Sequence, residues 1–208
     1  MKRKLVLVGG GGHCQSVLDT LDRQQQYEDI VVVDRAYPEM KTVLGYPVAG
    51  NDDVLGQLRQ DGFSDAFISV GSIRSTASRE RLFRILYQLG YRIPNIIDPS
   101  AQISQHAVFG EGVFVGKGVM INASVYVGSM AIINTGAIVE HTCIIGDYTH
   151  VSVGAKLCGN VSVGSHSLVG AGATVVQGVS VGSHTIIGAG STVIRNVGDN
   201  LVVKGLVK

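Results

Sequence analysis

A chain of 208 residues is long enough for one large domain or two modest ones, and its formal net charge of +1 argues against a basic surface for nucleic acid. No apolar run approaches the ~20 residues that a membrane-spanning helix needs, so we expect no membrane span. The three cysteines leave one unpaired under any disulfide scheme, which favours a cytoplasmic protein.

The first hundred residues carry the alternating signals of strands and helices. Short apolar runs predict strands, and apolar residues at helical spacing predict helices. The predicted elements are a strand over 4–8, a helix over 15–23, a strand over 29–34, a helix over 51–60, a strand over 66–70, a helix over 78–89 and a strand over 95–97. This order predicts a Rossmann-like βαβαβ domain over residues 1–98.

Four consecutive glycines, residues 9–12, follow the first predicted strand and open the first predicted helix. Backbone N–H groups at the positive end of a helix bind phosphate, and glycine lets the ligand approach closely. Asp34 ends the second strand, where such folds place a carboxylate against a ribose or a base. Only one nucleotide-binding half fits before residue 99, so a mononucleotide ligand is favoured over NAD. The alternative is a tight turn with no ligand.

From residue 103 to residue 193 one aliphatic or aromatic residue recurs at every sixth position. The register is Ile103, Phe109, Val115, Ile121, Val127, Ile133, Val139, Ile145, Val151, Leu157, Val163, Val169, Val175, Val181, Ile187 and Val193. A small or β-branched residue stands two positions before most of these, which puts both on one face of a short strand. This hexapeptide repeat predicts stacked coils around one apolar column over residues 99–208.

The repeat is broken at Glu140, which stands where glycine usually follows the large residue, and at His141 behind it. A corner residue points out of the coil, so a core role for His141 is disfavoured. With an ordinary pKa near 6.5, histidine suits a general base at neutral pH. The pair therefore marks a candidate catalytic position.

These features together resemble the hexapeptide-repeat acyltransferases, whose fold is a left-handed parallel β-helix with three hexads per coil. Residues 134–164, NTGAIVEHTCIIGDYTHVSVGAKLCGNVSVG, resemble the catalytic segment of sugar acetyltransferases that act on bacillosamine or perosamine precursors. The first domain resembles their nucleotide-sugar-binding domain, and equally the first part of sialic acid O-acetyltransferases, which share its Gly-Gly-His opening. The sixteen hexads then imply about five coils.

The resemblance also implies roles for individual residues. It places the general base on His141 and a second histidine, near the acetyl-CoA thioester, on His150. Many relatives carry an acid where this chain has Thr142, so the carboxylate that orients His141 is left open between Glu140, Asp147 and a group from another subunit. The implied sugar-nucleotide contacts are Gly11, Gly12, His13, Asp34, Arg35 and Gly71. The implied coenzyme contacts are His150, Gly170, Ala171, Gly188 and Ala189.

The function implied is an acetyl-CoA-dependent N-acetyltransferase without a metal, acting on a nucleotide-linked amino sugar in surface glycan biosynthesis. The relatives are homotrimers with active sites between adjacent β-helices. Acetylation of a sialic acid hydroxyl is the main alternative. A zinc site of the gamma-class carbonic anhydrase kind and a non-catalytic scaffold are more distant alternatives. His166 and His184, eighteen residues apart, are expected to stack as corner residues of successive coils.

Overall fold

The computed structural model describes residues 3–73 and 75–208, and the chain divides into two compact units, Met1–Pro94 and Asn95–Lys208. The predicted strand over 95–97 is observed as Ile96–Ile97. It pairs with Phe114–Val115 and so belongs to the second unit rather than the first. Within the described ranges, no helix is long and apolar enough to cross a membrane.

The first unit is a mostly parallel sheet with three helices. Its elements are β1 Arg3–Val8, α1 Gly12–Gln24, β2 Tyr27–Val33, β3 Thr42–Val43, β4 Tyr46–Gly50, a 3₁₀ turn Asp52–Val54, α2 Leu55–Gln60, β5 Asp65–Ile68 and α3 Ala77–Gln88. The strand order is β3-β4-β2-β1-β5, with only β3 antiparallel to its neighbour. Strands β3 and β4 were not predicted from the sequence, because they are half exposed and lack a strong apolar pattern.

The interior strand β1, between β2 and β5, is buried on both faces, with Leu5, Val6 and Leu7 fully inaccessible. Helix α1 contributes Cys14, Val17, Leu18 and Leu21 to this core, a spacing that places all four on one helical face. The helix begins three residues earlier than predicted, directly at the glycine loop. The loop is thereby anchored by a strand before it and a buried helix after it.

Burial raises the pKa of the Cys14 thiol to about 11, against an opposing hydrogen bond from Ser69. The unfolded chain releases this proton near pH 9, so between about pH 9 and 11 the unfolded state binds fewer protons and the free energy of unfolding falls. We expect thermal melting to show a loss of stability over this range, and Cys14→Ala to lose less than the wild type. An equal loss in both proteins would exclude Cys14 as a cause.

The second unit is a three-sided parallel β-helix built from two-residue strands. The first face holds β6 Ile96–Ile97, β9 Phe114–Val115, β12 Ile132–Ile133, β15 His150–Val151, β18 Leu168–Val169, β21 Ile186–Ile187 and β23 Val202–Val203. The second holds β7 Gln102–Ile103, β10 Met120–Ile121, β13 Ile138–Val139, β16 Lys156–Leu157, β19 Thr174–Val175, β22 Thr192–Val193 and β24 Leu206–Val207. The third holds β8 Val108–Phe109, β11 Tyr126–Val127, β14 Ile144–Ile145, β17 Ser162–Val163 and β20 Ser180–Val181.

From β6 to β22, paired strands on one face are spaced by 18 residues, as in the pairing of Ile132 with Phe114 and with His150, so three hexads make one coil. The predicted pattern of one inward residue in every six is confirmed, since each of these residues from Val115 to Val193 is buried and faces the central column. Ile103 and Phe109, in the first coil, are partly buried against it. One continuous core therefore fixes which residues point outward at each corner.

Candidate functional site

The glycine loop and Asp34 meet at the carboxyl edge of the first unit's sheet. The Asp34 carboxylate accepts hydrogen bonds from the Gly10 N–H at 2.6 Å and the Ala36 N–H at 2.7 Å. Gly9 adopts a φ of +109°, and a Cβ there would lie 2.5 Å from Val70 Cγ2, so only glycine fits. One carboxylate thus holds the loops after β1 and β2 together.

An open cleft lies beside these loops. Its lining residues are Val8, Gly9, Val33, Asp34, Arg35, Asp52, Val70, Ser78, Arg81 and Leu82. Of the predicted sugar-nucleotide contacts, Asp34 and Arg35 line the cleft directly. Gly11 ends the glycine loop, Gly12 and His13 are the first residues of α1, and Gly71 follows the cleft residue Val70. A Cβ at Gly71 would be 3.6 Å from His13 Cβ. Apolar walls with a few charged groups are typical of a small-molecule site.

The sequence analysis missed three polar residues of this cleft, Asp52, Ser78 and Arg81. Asp52 accepts a hydrogen bond from Arg81 at 2.7 Å and lies 3.6 Å from the Arg35 guanidinium. Asn51 caps the 3₁₀ turn, since its side chain accepts from the Asp53 N–H, and the Asp52 carboxylate contacts the two arginines. Asp52 follows the end of β4, a position that favours a ligand contact in such sheets, but β4 is not predicted from the sequence.

His141 lies at the corner between β13 and β14, and its side chain is exposed. Its Nδ1 is 3.3 Å from the Thr142 hydroxyl, while its backbone N–H donates to the Glu140 carboxylate at 3.3 Å. Glu140 therefore contacts the peptide and not the ring. Asp147 accepts from the Ser129 N–H at 2.7 Å, at the next corner of the coil. Within one chain, the group beside the His141 ring nitrogen is therefore the hydroxyl of Thr142 rather than a carboxylate.

His150 begins β15 on the first face, and its Nε2 is 3.2 Å from the Asn134 side-chain nitrogen. Its neighbours Thr149 and Val151 point inward and are fully buried, so the His150 side chain points out of the coil. Only 8% of His150 is exposed, and Phe114 and Ile132, which stand in the same outer column, are buried as well. The apolar residues 18 and 36 positions before His150 are the signal for this burial in the sequence.

The four small residues predicted for the coenzyme occupy one corner of successive coils. A Cβ at Gly170 would lie 2.6 Å from the Ala189 N atom, so coil stacking requires glycine there. A Cβ at Gly188 would have more room, since its nearest neighbour would be Lys204 Cβ at 3.1 Å. Ala171 and Ala189 are exposed. The structure brings the four residues together, on the corner that follows β18 and β21.

His166 and His184 stack as predicted, with ring centroids 4.7 Å apart and an interplanar angle of 2°. Tyr148 extends the column on the other side of His166, at 5.2 Å.

Across the described chain, no group of three or more His, Cys, Asp or Glu side chains is placed to hold a metal ion. His141 and His150 lie on different sides of the coil, so a single chain does not bring them together.

Thr142 carries backbone strain beside the candidate base. Its φ is +62°, a left-handed conformation that costs a residue with a Cβ roughly 1–2 kcal/mol and is rare for β-branched residues. The next coil has Asn160 at the same corner with a φ of +59°, and asparagine tolerates this region better. We expect Thr142→Asn to raise the free energy of unfolding by about 0.5–1 kcal/mol in urea denaturation. Thr135→Asn, without positive φ, is the control; an equal gain there would contradict the strain.

Comparison with known proteins identifies relatives for both units. A family model described as the PglD N-terminal domain matches residues 4–86. A histidine-to-alanine variant of GDP-perosamine N-acetyltransferase from Caulobacter crescentus, solved with CoA and GDP-perosamine, shares 40% sequence identity. Its TM-score is 0.91, and the match covers 97% of this chain and 93% of that chain.

Two further solved structures extend the comparison. The acetyltransferase domain of PglB from Neisseria gonorrhoeae, in complex with acetyl coenzyme A, shares 32% identity with a TM-score of 0.91, covering 99% of this chain and 97% of that chain. WeeI from Acinetobacter baumannii shares 22% identity with a TM-score of 0.84, covering 98% and 97%. The predicted architecture, a Rossmann-like domain followed by a left-handed parallel β-helix, is confirmed by the topology and by the first two matches.

Proposed function

The chain belongs to the hexapeptide-repeat sugar acetyltransferases, and we propose that it transfers the acetyl group of acetyl-CoA to the amino group of a nucleotide-linked amino sugar. The observation that carries the proposal is the 40% identity, across both units, to an N-acetyltransferase solved with CoA and GDP-perosamine. The cleft in the first unit and the exposed His141 in the second are consistent with this reaction.

We assign the nucleotide part of the acceptor to the cleft of the first unit. The glycine loop supplies N–H groups at the start of α1, whose first turn contains no acidic residue to repel a phosphate. Arg35 adds a positive charge beside it, and the apolar walls formed by Val33, Val70 and Leu82 suit a base. We assign to this cleft the phosphates and the nucleoside, with Asp34 holding the loop that receives them.

In the reaction, the sugar amine attacks the thioester carbonyl of acetyl-CoA. A C–N bond forms, the C–S bond breaks, and CoA leaves as the thiol. We assign to the His141 ring the role of accepting the proton that the amine must lose. The ring nitrogen beside Thr142 is engaged, which leaves Nε2 as the base. The thioester is already activated, so the step needs neither a covalent enzyme intermediate nor a metal.

We further propose that the active enzyme is a homotrimer with its sites between adjacent β-helices. This is supported by the separation of His141 and His150 on different sides of one coil, since both are assigned to the same reaction. A second chain would bring the His150 side of one β-helix toward the His141 corner of another. Light scattering at assay concentrations should give three times the chain mass of 21.9 kDa.

An acetyl-CoA-dependent thiol-release assay tests the reaction. The acceptors are GDP- and UDP-linked 4-amino sugars, together with free and CMP-linked sialic acids. Release only with an amino sugar supports the proposal and identifies the nucleotide that the cleft accepts. Release only with a sialic acid would replace N-acetylation by O-acetylation, and release with none of them would refute both.

A further inference from the structure

Gly159 occupies the same corner as His141, one coil further along the β-helix. The two residues are 18 positions apart, and the Asn160 N–H donates to the His141 carbonyl at 2.9 Å. The Gly159 carbonyl accepts from the Gly178 N–H at 3.0 Å, and the residue is buried. Its backbone is therefore fixed by the ladder bonds of the coil.

The backbone at Gly159 does not require glycine. Corner glycines such as Gly136, Gly154 and Gly172 have a φ of +63° to +66°, which strains any residue with a Cβ. Gly159 is absent from this left-handed group. An alanine is thus compatible with its conformation, and the reason for glycine must lie in what surrounds it.

What surrounds Gly159 is the His141 ring. A Cβ built on Gly159 would lie 2.6 Å from both Cε1 and Nε2 of His141, and 3.4 Å from its Cδ2. At Gly146, Gly164 and Gly182 a Cβ would instead approach backbone atoms of the following coil. Those glycines allow the coils to stack, whereas Gly159 leaves room for one side chain.

We propose that Gly159 is a positioning residue for the His141 ring, an inference that rests on the proposed function. The imidazole lies over the bare Cα of Gly159 while its Nδ1 meets the Thr142 hydroxyl, so the position of Nε2 is set from two directions. Ordinary contacts between carbon atoms are about 3.5–4.0 Å. A methyl group at Gly159 must therefore displace the ring by about 1 Å. A shift of that size typically costs about 10²-fold in rate.

The test compares Gly159→Ala with the wild type, using Gly198→Ala as the matched control. Gly198 lies in the same unit without a positive φ, and a Cβ there meets only Leu201, at 3.9 Å. We expect Gly159→Ala to lower kcat by about 10²-fold, with KM for acetyl-CoA and the melting temperature nearly unchanged, because a ring can move where backbone cannot. The control should keep full activity. Wild-type kcat in Gly159→Ala would overturn the proposal.

A double-mutant cycle separates positioning from general damage. If Gly159 acts only through the ring, adding Gly159→Ala to His141→Asn should cost less than twofold beyond the single His141 variant. A further loss as large as that in the wild-type background would refute the mechanism.

A readout without turnover keeps the inference independent of the acceptor. The chain has six histidines, so the ¹³Cε1 signal of His141 can be assigned by its loss in His141→Asn. Gly159→Ala should change the shift and the titration of that signal alone, and Gly198→Ala should change neither. An unmoved signal would overturn the positioning role. If the wild type acetylates no acceptor while the signal moves, the proposed function fails and the placement of the ring stands.

Discussion

Replacing His141 by asparagine should lower kcat by ~10²–10⁴, the usual effect of removing a general base. Asparagine is polar and close to histidine in size, but it cannot take a proton from the amine at neutral pH. The KM for acetyl-CoA should change little, because the small residues predicted to contact the coenzyme lie at another corner of the coil. Steady-state kinetics at saturating acceptor measures the loss directly.

His166→Asn is the matched control for this variant. His166 also stands at a corner of the β-helix, but within a ring stack with Tyr148 and His184 rather than beside Gly159. It should retain the wild-type kcat. Full turnover in His141→Asn would remove His141 from the mechanism.

Replacing Asp34 by alanine should raise KM for the nucleotide sugar by about 10²-fold or more. The carboxylate accepts two backbone hydrogen bonds, from Gly10 and Ala36, and bonds to a charged group contribute about 1.5–3 kcal/mol each. Without them, the glycine loop loses the contact that fixes it against the loop after β2. Isothermal titration with the nucleotide sugar, and separately with acetyl-CoA, should show that only the first ligand binds more weakly.

Two variants make this measurement specific to Asp34. Glu28→Ala removes an exposed carboxylate near the start of β2 and should leave both affinities unchanged. Asp34→Asn keeps acceptor oxygen without the charge and should fall between wild type and alanine. Equal weakening of acetyl-CoA binding in Asp34→Ala would point to loss of folding rather than to the loop.

The β-helix was the part of the fold best predicted from sequence, because one residue in six must enter a single column. Each coil repeats that demand, so a pattern such as Val151, Leu157 and Val163 identifies the inward face without tertiary information. The small edge hairpin of the first unit escaped prediction for the opposite reason. Its strands, Thr42–Val43 and Tyr46–Gly50, bury few side chains and have no repeating apolar pattern.

The candidate site was predictable where a residue departs from a local rule. His141 could be identified because a corner of the repeat does not require a histidine. Asp52 and Arg81 are separated by 29 residues, and only the fold brings their charges to one cleft. The contact between Gly159 and the His141 ring was likewise hidden, since glycine is common at corners and its sequence position alone does not distinguish space for a ring from space for the next coil.

The ladder has a consequence for how such a chain can change its length. From β6 to β22, neighbouring strands pair residues 18 apart, while the core requires only one inward-facing apolar residue in every six. An insertion of one hexad before Glu140 would satisfy the core, yet it would carry His141 around to the next corner of the triangle. Gains and losses of whole coils are the changes that leave His141 on its own side. Active members of such a family should therefore differ in length by whole coils of three hexads, although a single hexad already preserves the apolar core.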